Sequence, residues 1–187
     1  MRYYDSKEGY NLYHKYYKDD HELLDSFDWD KAQKMIASEV DLLLKNENKE
    51  ISFLDIGCGD SRFIKRFTRI YPEAFFTGVD ISENMLKTGA KRLKKCSNVE
   101  LICCDVSEKE FFNNDLNIIK LKDDETVYFK NNKYSIAISF FLIVHLELSQ
   151  ITELFTNIFK LLKEDGIFIF NNIPQKKLPK LHTKNGI

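Results

Sequence analysis

From Ile51 onward, short and nearly continuous apolar runs alternate with stretches in which apolar residues recur every three or four positions. The runs read ISFLDIG, AFFTGVDI, VELICCDV, YSIAISFF and GIFIFNN. Such alternation is how parallel strands joined by crossover helices appear in a sequence. Strands of a parallel sheet are covered on both faces, which accounts for runs that are apolar nearly throughout instead of at every second residue. Between the runs, Phe63, Phe67 and Ile70 make one helical face, Leu86, Ala90 and Leu93 a second, and Ile151, Leu154, Phe155, Ile158 and Leu162 a third. Ahead of the first run, Trp29, Ala32, Ile36, Val40 and Leu43 fall at helical steps and predict a helix that ends in the polar stretch Lys45 to Glu50. Ser82 and Ser149 stand where N-caps are expected, and Ser107 with Glu110 makes a capping-box pattern. The expected fold is a three-layer α/β domain, a sheet of mainly parallel strands with helices on both faces.

Other segments depart from this rhythm. Residues 1–28 are polar and rich in tyrosine (Tyr3, Tyr4, Tyr10, Tyr13, Tyr16, Tyr17), which suggests an arm or lid lying across a core instead of building one. The domain itself is expected over residues 29–173, with a tail at 174–187. Within it, residues 114–132 contain LNIIKL and TVYFK on either side of Lys122-Asp123-Asp124-Glu125, read either as a small hairpin insertion or as a solvated loop.

Composition narrows the picture. The chain has 187 residues, 43% of them hydrophobic, enough for one core but too few for two comfortable domains. Four cysteines without a C-x-x-C pair and four scattered histidines favour neither a disulfide framework nor a structural zinc, and suit the reduced thiols of a cytoplasmic protein. No apolar run approaches the roughly 18–20 residues of a membrane span, and the N-terminus carries no signal-peptide core. A net charge of −1, with Lys and Arg interleaved among Asp and Glu, offers no basic stripe, so a nucleic-acid partner is not expected.

The candidate chemistry is concentrated at Asp55-Ile-Gly57-Cys-Gly59-Asp60-Ser61-Arg62, which leaves the first strand and opens a helix. Two glycines there let backbone approach a ligand that a Cβ would exclude, or they serve only a tight turn. A dinucleotide fingerprint needs a third glycine where Arg62 stands. Asp55 and Asp60 bracket the turn with negative charge, which opposes pyrophosphate and favours a cationic or zwitterionic ligand. Asp80 ends the next strand, 21 residues beyond Gly59, where a carboxylate can accept from vicinal ribose hydroxyls. Asp105 ends the third strand, placed either to accept from an exocyclic amine or to cap the next helix. Three carboxylates at the carboxyl ends of three successive strands outline a nucleoside pocket.

These residues resemble the class I S-adenosylmethionine-dependent methyltransferases over about residues 30–172. FLDIGCGDSRF is similar to the family's glycine-rich first motif, GVDIS to its acidic second motif, and Asp105-Val106 to its adenine-contacting turn. YSIAISFFLIVHLEL resembles the fourth strand and its loop, and LLKEDGIFIFNN the fifth strand with the helix end before it. The resemblance implies a Rossmann-like sheet with S-adenosylmethionine as cofactor and S-adenosylhomocysteine as product. It implies that Gly57 and Gly59 border the methionine portion, with Asp55, Cys58 and Ser139 nearby. Asp80 would hold the ribose, Ile81 and Met85 would pack about the adenosine, and Asp105 with Val106 would meet the adenine edge. Tyr10 or Tyr13 would cap the site from the arm. Cys58, Cys103 and Cys104 also read as small buried hydrophobes.

Two departures from the family pattern shape the expectation. Ser139-Phe140-Phe141-Leu142 stands in place of the Asn/Asp-Pro-Pro-aromatic motif of relatives that methylate amide or base nitrogens, which points to another acceptor. The family's last two strands are also missing from this pattern, since only fifteen residues follow GIFIFNN and two of them are prolines. The fifth strand would then expose an apolar edge, either because the chain is part of a longer product, the reading favoured here, or because a partner or a second copy covers it. The activity expected is transfer of a methyl group to a small-molecule acceptor by in-line displacement. His145 stands where it can take the acceptor's proton, or else is simply packed or caps a helix. The competing readings are a non-catalytic module of the same fold and, disfavoured by Arg62, a nicotinamide-dependent dehydrogenase.

Overall fold

A computed structural model describes residues 29–46, 50–109, 117–120 and 133–171. The arm with Tyr10 and Tyr13, TVYFK, Glu110 and the tail lie outside the described residues. In chain order the elements are α1 (Trp29–Asn46), β1 (Ser52–Ile56), α2 (Arg62–Ile70), β2 (Phe75–Asp80), α3 (Glu83–Arg92), β3 (Val99–Cys103), β4 (Asn117–Lys120), β5 (Tyr134–Ser139), α4 (Leu148–Leu161) and β6 (Leu162–Phe170). They form a six-stranded sheet of order β4-β3-β2-β1-β5-β6. All five strands expected from the apolar runs are present and pair in parallel. β4, inside LNIIKL, adds an antiparallel strand beside β3.

The chain builds β1, β2 and β3 outward in one direction, then returns to lay β5 and β6 on the other side of β1. Strand order therefore reverses between β1 and β5, and the crevice at the carboxyl ends of those strands is where open α/β sheets bind ligands. On one face, Ile36 and Val40 of α1, Phe63, Ile64 and Phe67 of α2, and Leu86 of α3 bury against Phe53, Phe76, Leu101 and Ile138. Leu154, Ile158 and Leu161 of α4 cover the other, against Leu54, Val79, Ile102 and Ala137. Every residue of β3 and β5 is buried, which is why their sequences are so largely apolar.

Four local expectations are corrected. Ile70 closes α2 on its exposed side, and Ile64 takes its place in the core, because the buried face of this short helix follows 63, 64 and 67. Leu162 belongs to β6, which begins where α4 stops. Phe155 is half-exposed, and it meets Phe168 and Phe170 at the outer side of β6 with 5.3 Å between ring centroids. α4 is capped by Glu147 instead of Ser149, with the Glu147 N–H donating to Gln150 Oε1 at 3.0 Å. Ser82 does cap α3, its Oγ accepting the Met85 N–H at 3.4 Å.

A polar cluster lies within the sheet. The Tyr134 hydroxyl donates to Thr77 Oγ1 (3.0 Å), Thr77 donates to Glu100 Oε1 (2.5 Å), and Lys133 Nζ reaches the same oxygen at 2.9 Å. This ties β2, β3 and β5 together, and the ammonium compensates the buried Glu100 carboxylate. No helix among the described residues is long and apolar enough to cross a membrane.

Candidate functional site

The turn from β1 into α2 is built from left-handed residues: Gly57 at φ +74°, Gly59 at +52° and Ser61 at +61°. Glycine adopts this conformation without a Cβ clash, whereas Ser61 does so at a cost. The turn is also tightly enclosed. A Cβ on Gly57 would stand 3.2 Å from Leu142 Cβ, and one on Gly59 would stand 3.1 Å from Met85 Cε. The Gly57 and Cys58 N–H groups donate to the Val79 carbonyl at 2.8 and 3.0 Å, stitching the turn to the end of β2. The Cys58 side chain is buried, and burial pushes its thiol well above the ordinary range, so it behaves as a small apolar group.

Asp80 has a structural part that its place at the end of β2 does not reveal. Its Oδ2 takes the Gly59 N–H and its Oδ1 the Ser82 N–H, both at 2.8 Å, so one carboxylate buckles the glycine turn to the start of α3. Burial pushes this carboxyl up, while the N–H groups of Ser82, Gly59 and Ile81 pull it back. The roughly four lone-pair sites of a carboxylate are not exhausted by these bonds, and hydroxyls can still be accepted.

Asp60 plays a different part from the one its sequence position suggests. Arg62 Nε lies 3.0 Å and Arg92 Nη2 2.6 Å from its Oδ2, and Arg92 Nε also donates to its carbonyl at 2.9 Å. Two guanidinium groups thus offset its charge, and Asp80 is the carboxylate that faces the turn. Asp55 is 5% exposed at the end of β1, and its Oδ2 has no hydrogen-bond partner among the described residues. Burial, and then the charge of Asp80, push the Asp55 carboxyl from 3.8 to about 8. Across the switch point, at the end of β5, the Ser139 hydroxyl is also fully buried without a partner among the described residues.

The third strand end carries Asp105 and Val106. Asp105 Oδ1 accepts from the Ser107 N–H at 2.8 Å and its hydroxyl at 2.5 Å, an Asx turn, and the described residues that follow it form turns and not a helix. Asn157 of α4, buried among leucines and isoleucines, holds the following turn by donating to the Val106 carbonyl at 2.7 Å and the Glu108 carbonyl at 3.0 Å. Its only trace in sequence is an amide at an apolar position of the helix. Ile81 and Met85 flank the turn at the start of α3. His145 sits half-buried in the 3₁₀ turn Ile143–His145, its N–H bonded to the Leu142 carbonyl at 2.9 Å. The structure therefore gathers Asp55, Gly57, Cys58, Gly59, Asp80, Ile81 and Met85 about one turn, with Ser139 and Asp105 at neighbouring strand ends.

Comparison with known proteins gives the family. A family model described as a methyltransferase domain matches residues 54–168, from β1 into β6. A malonyl-[acyl-carrier protein] O-methyltransferase of Acetivibrio thermocellus is 27% identical over 156 residues, covering 81% of this chain and 46% of that protein. A demethylmenaquinone methyltransferase of Listeria welshimeri is 36% identical over 81 residues, 42% of this chain and 34% of that protein. The chain thus spans less than half the length of each of these two relatives. The crystal structure of an S-adenosylmethionine-dependent methyltransferase from Clostridium acetobutylicum shares the fold, with a TM-score of 0.57, 19% identity, and coverage of 86% of this chain and 56% of that one. With the glycine turn, the acidic end of β2 and the reversal of strand order all in place, the chain belongs to the methyltransferase-domain family, of the class I, Rossmann-like type that uses S-adenosylmethionine.

Proposed function

We propose that this chain transfers the methyl group of S-adenosylmethionine to a small-molecule acceptor by in-line displacement. The observation that carries the reading is the pair of buried polar atoms without partners among the described residues, Asp55 Oδ2 and Ser139 Oγ, at the ends of the two strands flanking the switch point. Buried polar atoms in folded proteins are nearly always bonded, so orphans at the carboxyl ends of two adjacent strands mark a place for a ligand's polar groups. The amino-acid end of the donor fits: its ammonium can displace the proton that burial keeps on Asp55 and pair with the carboxylate, and its sulfonium suits a turn that the Asp80 carboxylate faces. Pyrophosphate does not fit, being repelled by the Asp80 carboxylate and offering the buried Asp55 no cation to pair with.

In this reading Asp55, Gly57, Cys58, Gly59 and Ser139 take the methionine portion. Asp80 accepts from the ribose, Ile81 and Met85 pack about the adenosine, and Asp105 with Val106 meets the adenine edge, while Tyr10 of the arm is the proposed cap. When bound, the donor supplies a methyl carbon on a sulfonium that leaves without protonation. The protein's contribution is therefore to align acceptor and methyl carbon and to exclude water. His145, three residues beyond Leu142, is the group proposed to take a proton from an acceptor that must lose one. The two relatives' names point to different acceptors, a carrier-bound malonyl group and demethylmenaquinone, so the reading stops at a small molecule.

Thermal unfolding with and without donor tests the proposal. A ligand at a hundred times its Kd stabilises by about 2.7 kcal/mol, which raises the melting temperature of a domain this size by roughly 5–10 °C. The parent chain should show this rise with S-adenosylmethionine and S-adenosylhomocysteine, and Asp80→Ala should lose it. A parent protein indifferent to both ligands would overturn the reading.

A further inference from the structure

The turn after β5 holds a feature that the site's glycine-rich half does not explain. Phe141 has φ +64°, a left-handed conformation that an aromatic L-residue adopts only when its surroundings enforce it. The enforcing group is Asn171, at the carboxyl end of β6. Its Oδ1 accepts the Phe141 N–H at 2.7 Å, and its own N–H donates to the Ser139 carbonyl at 3.3 Å. One residue thus grips the turn on both sides of Phe140.

The strained turn is pressed against the glycine turn. Phe140 packs on Phe63 of α2 with 5.6 Å between ring centroids, and the Leu142 side chain lies where a Cβ on Gly57 would meet it at 3.2 Å. The Ser139 hydroxyl, buried and without a partner among the described residues, sits at the base of the same turn. Relaxation of Phe141 to an extended conformation would redirect the chain between Phe140 and Leu142 and lift Leu142 from Gly57. Backbone strain of this kind clusters at ligand clamps, where the fold over-determines a shape that the ligand requires.

We propose that Asn171 is a positioning residue: it holds Phe141 left-handed so that the Ser139–Leu142 turn forms a preorganised wall for the amino-acid end of the methyl donor. This rests on the reading that the donor lies against the Gly57–Gly59 turn. Asn171 touches neither the donor nor the reacting atoms, and it acts through the turn.

A double-mutant cycle read by calorimetric binding of S-adenosylmethionine tests the proposal. Asn171→Ala should raise the Kd at least tenfold while the protein stays folded. In a Phe141→Gly background the same change should raise it less than threefold, because glycine takes positive φ without a clamp. Asn171→Asp keeps the accepting oxygen and should bind within threefold of the parent, which keeps the test decisive if the alanine variant fails to fold. Equal losses in both backgrounds, a loss below twofold in Asn171→Ala, or a tenfold loss in Asn171→Asp would overturn the assignment. Asp80→Ala run alongside separates the two readings. If it abolishes binding while Asn171→Ala leaves the Kd within twofold of the parent, only the Asn171 proposal fails, whereas a parent chain that binds no donor refutes the site itself.

Discussion

Replacing Asp55 by asparagine should stabilise the ligand-free protein and at the same time weaken its hold on the donor. Burial and the nearby Asp80 raise the Asp55 carboxyl from 3.8 to about 8, so without a cationic partner the folded chain keeps a proton there that the unfolded chain gives up. The sign follows from linkage. Below about pH 4 both states are protonated and the group is neutral in its effect, between about 4 and 8 the folded state binds the extra proton and stability falls as pH rises, and above about 8 the loss is complete. At 1.36 kcal/mol per pH unit, the ceiling on this loss is about 4 kcal/mol at pH 7 and about 6 kcal/mol above pH 8. The amide that replaces the carboxyl has nothing to titrate, so the variant should melt above the parent by a gap that widens from pH 5 to 8. Each kcal/mol of that gap is worth about 2–4 °C in a domain of this size. The assay is thermal unfolding in ligand-free buffers across pH 5–9. A gap that stays constant across this range would refute the account of Asp55 as a group held protonated by its surroundings. Donor binding supplies the complementary reading. At pH 7 the donor's ammonium should expel the proton, so calorimetry in buffers of different ionisation enthalpy should show proton release from the parent and none from Asp55→Asn.

Two further substitutions test the scaffold away from the donor's polar groups. Gly78→Ala in β2 would place a Cβ 2.7 Å from both Ile64 Cδ1 and Leu101 Cδ2 and 2.9 Å from Cys58 Sγ, and should cost about 1–3 kcal/mol in denaturant unfolding; an unchanged midpoint would show that the sheet and α2 are packed more loosely than described. Lys133→Met removes the ammonium 2.9 Å from the buried Glu100 carboxylate and should destabilise by about 3 kcal/mol at neutral pH, with Glu100→Gln in the same chain restoring most of the loss. If the double variant proved no more stable than Lys133→Met, the uncompensated charge would not be the cause.

The alternation of apolar runs and helical faces was sufficient for the layers and for the five parallel strands, because inner strands buried on both faces can be made of little else and the edge strand β6 still carries the apolar run GIFIF. The family motif was equally local: Gly57 and Gly59 in a strand-to-helix turn and an acid at the end of each of three strands are features of contiguous residues. What the linear pattern could not show was which atoms meet across the sheet. Asp60 reads as part of an anionic turn until the fold sets Arg92, 32 residues away, across its carboxylate. Asp80 reads as a ligand contact alone, and only the register shows that it also holds the Gly59 N–H. Asn157 and Asn171 look like ordinary polar residues until tertiary packing aims their amides at the turns after β3 and β5. Burial has the same character. That Asp55 and Ser139 end with polar atoms shut away from solvent, without partners among the described residues, is a property of the closed sheet and its helices, since desolvation depends on everything packed around an atom and not on its neighbours in the chain.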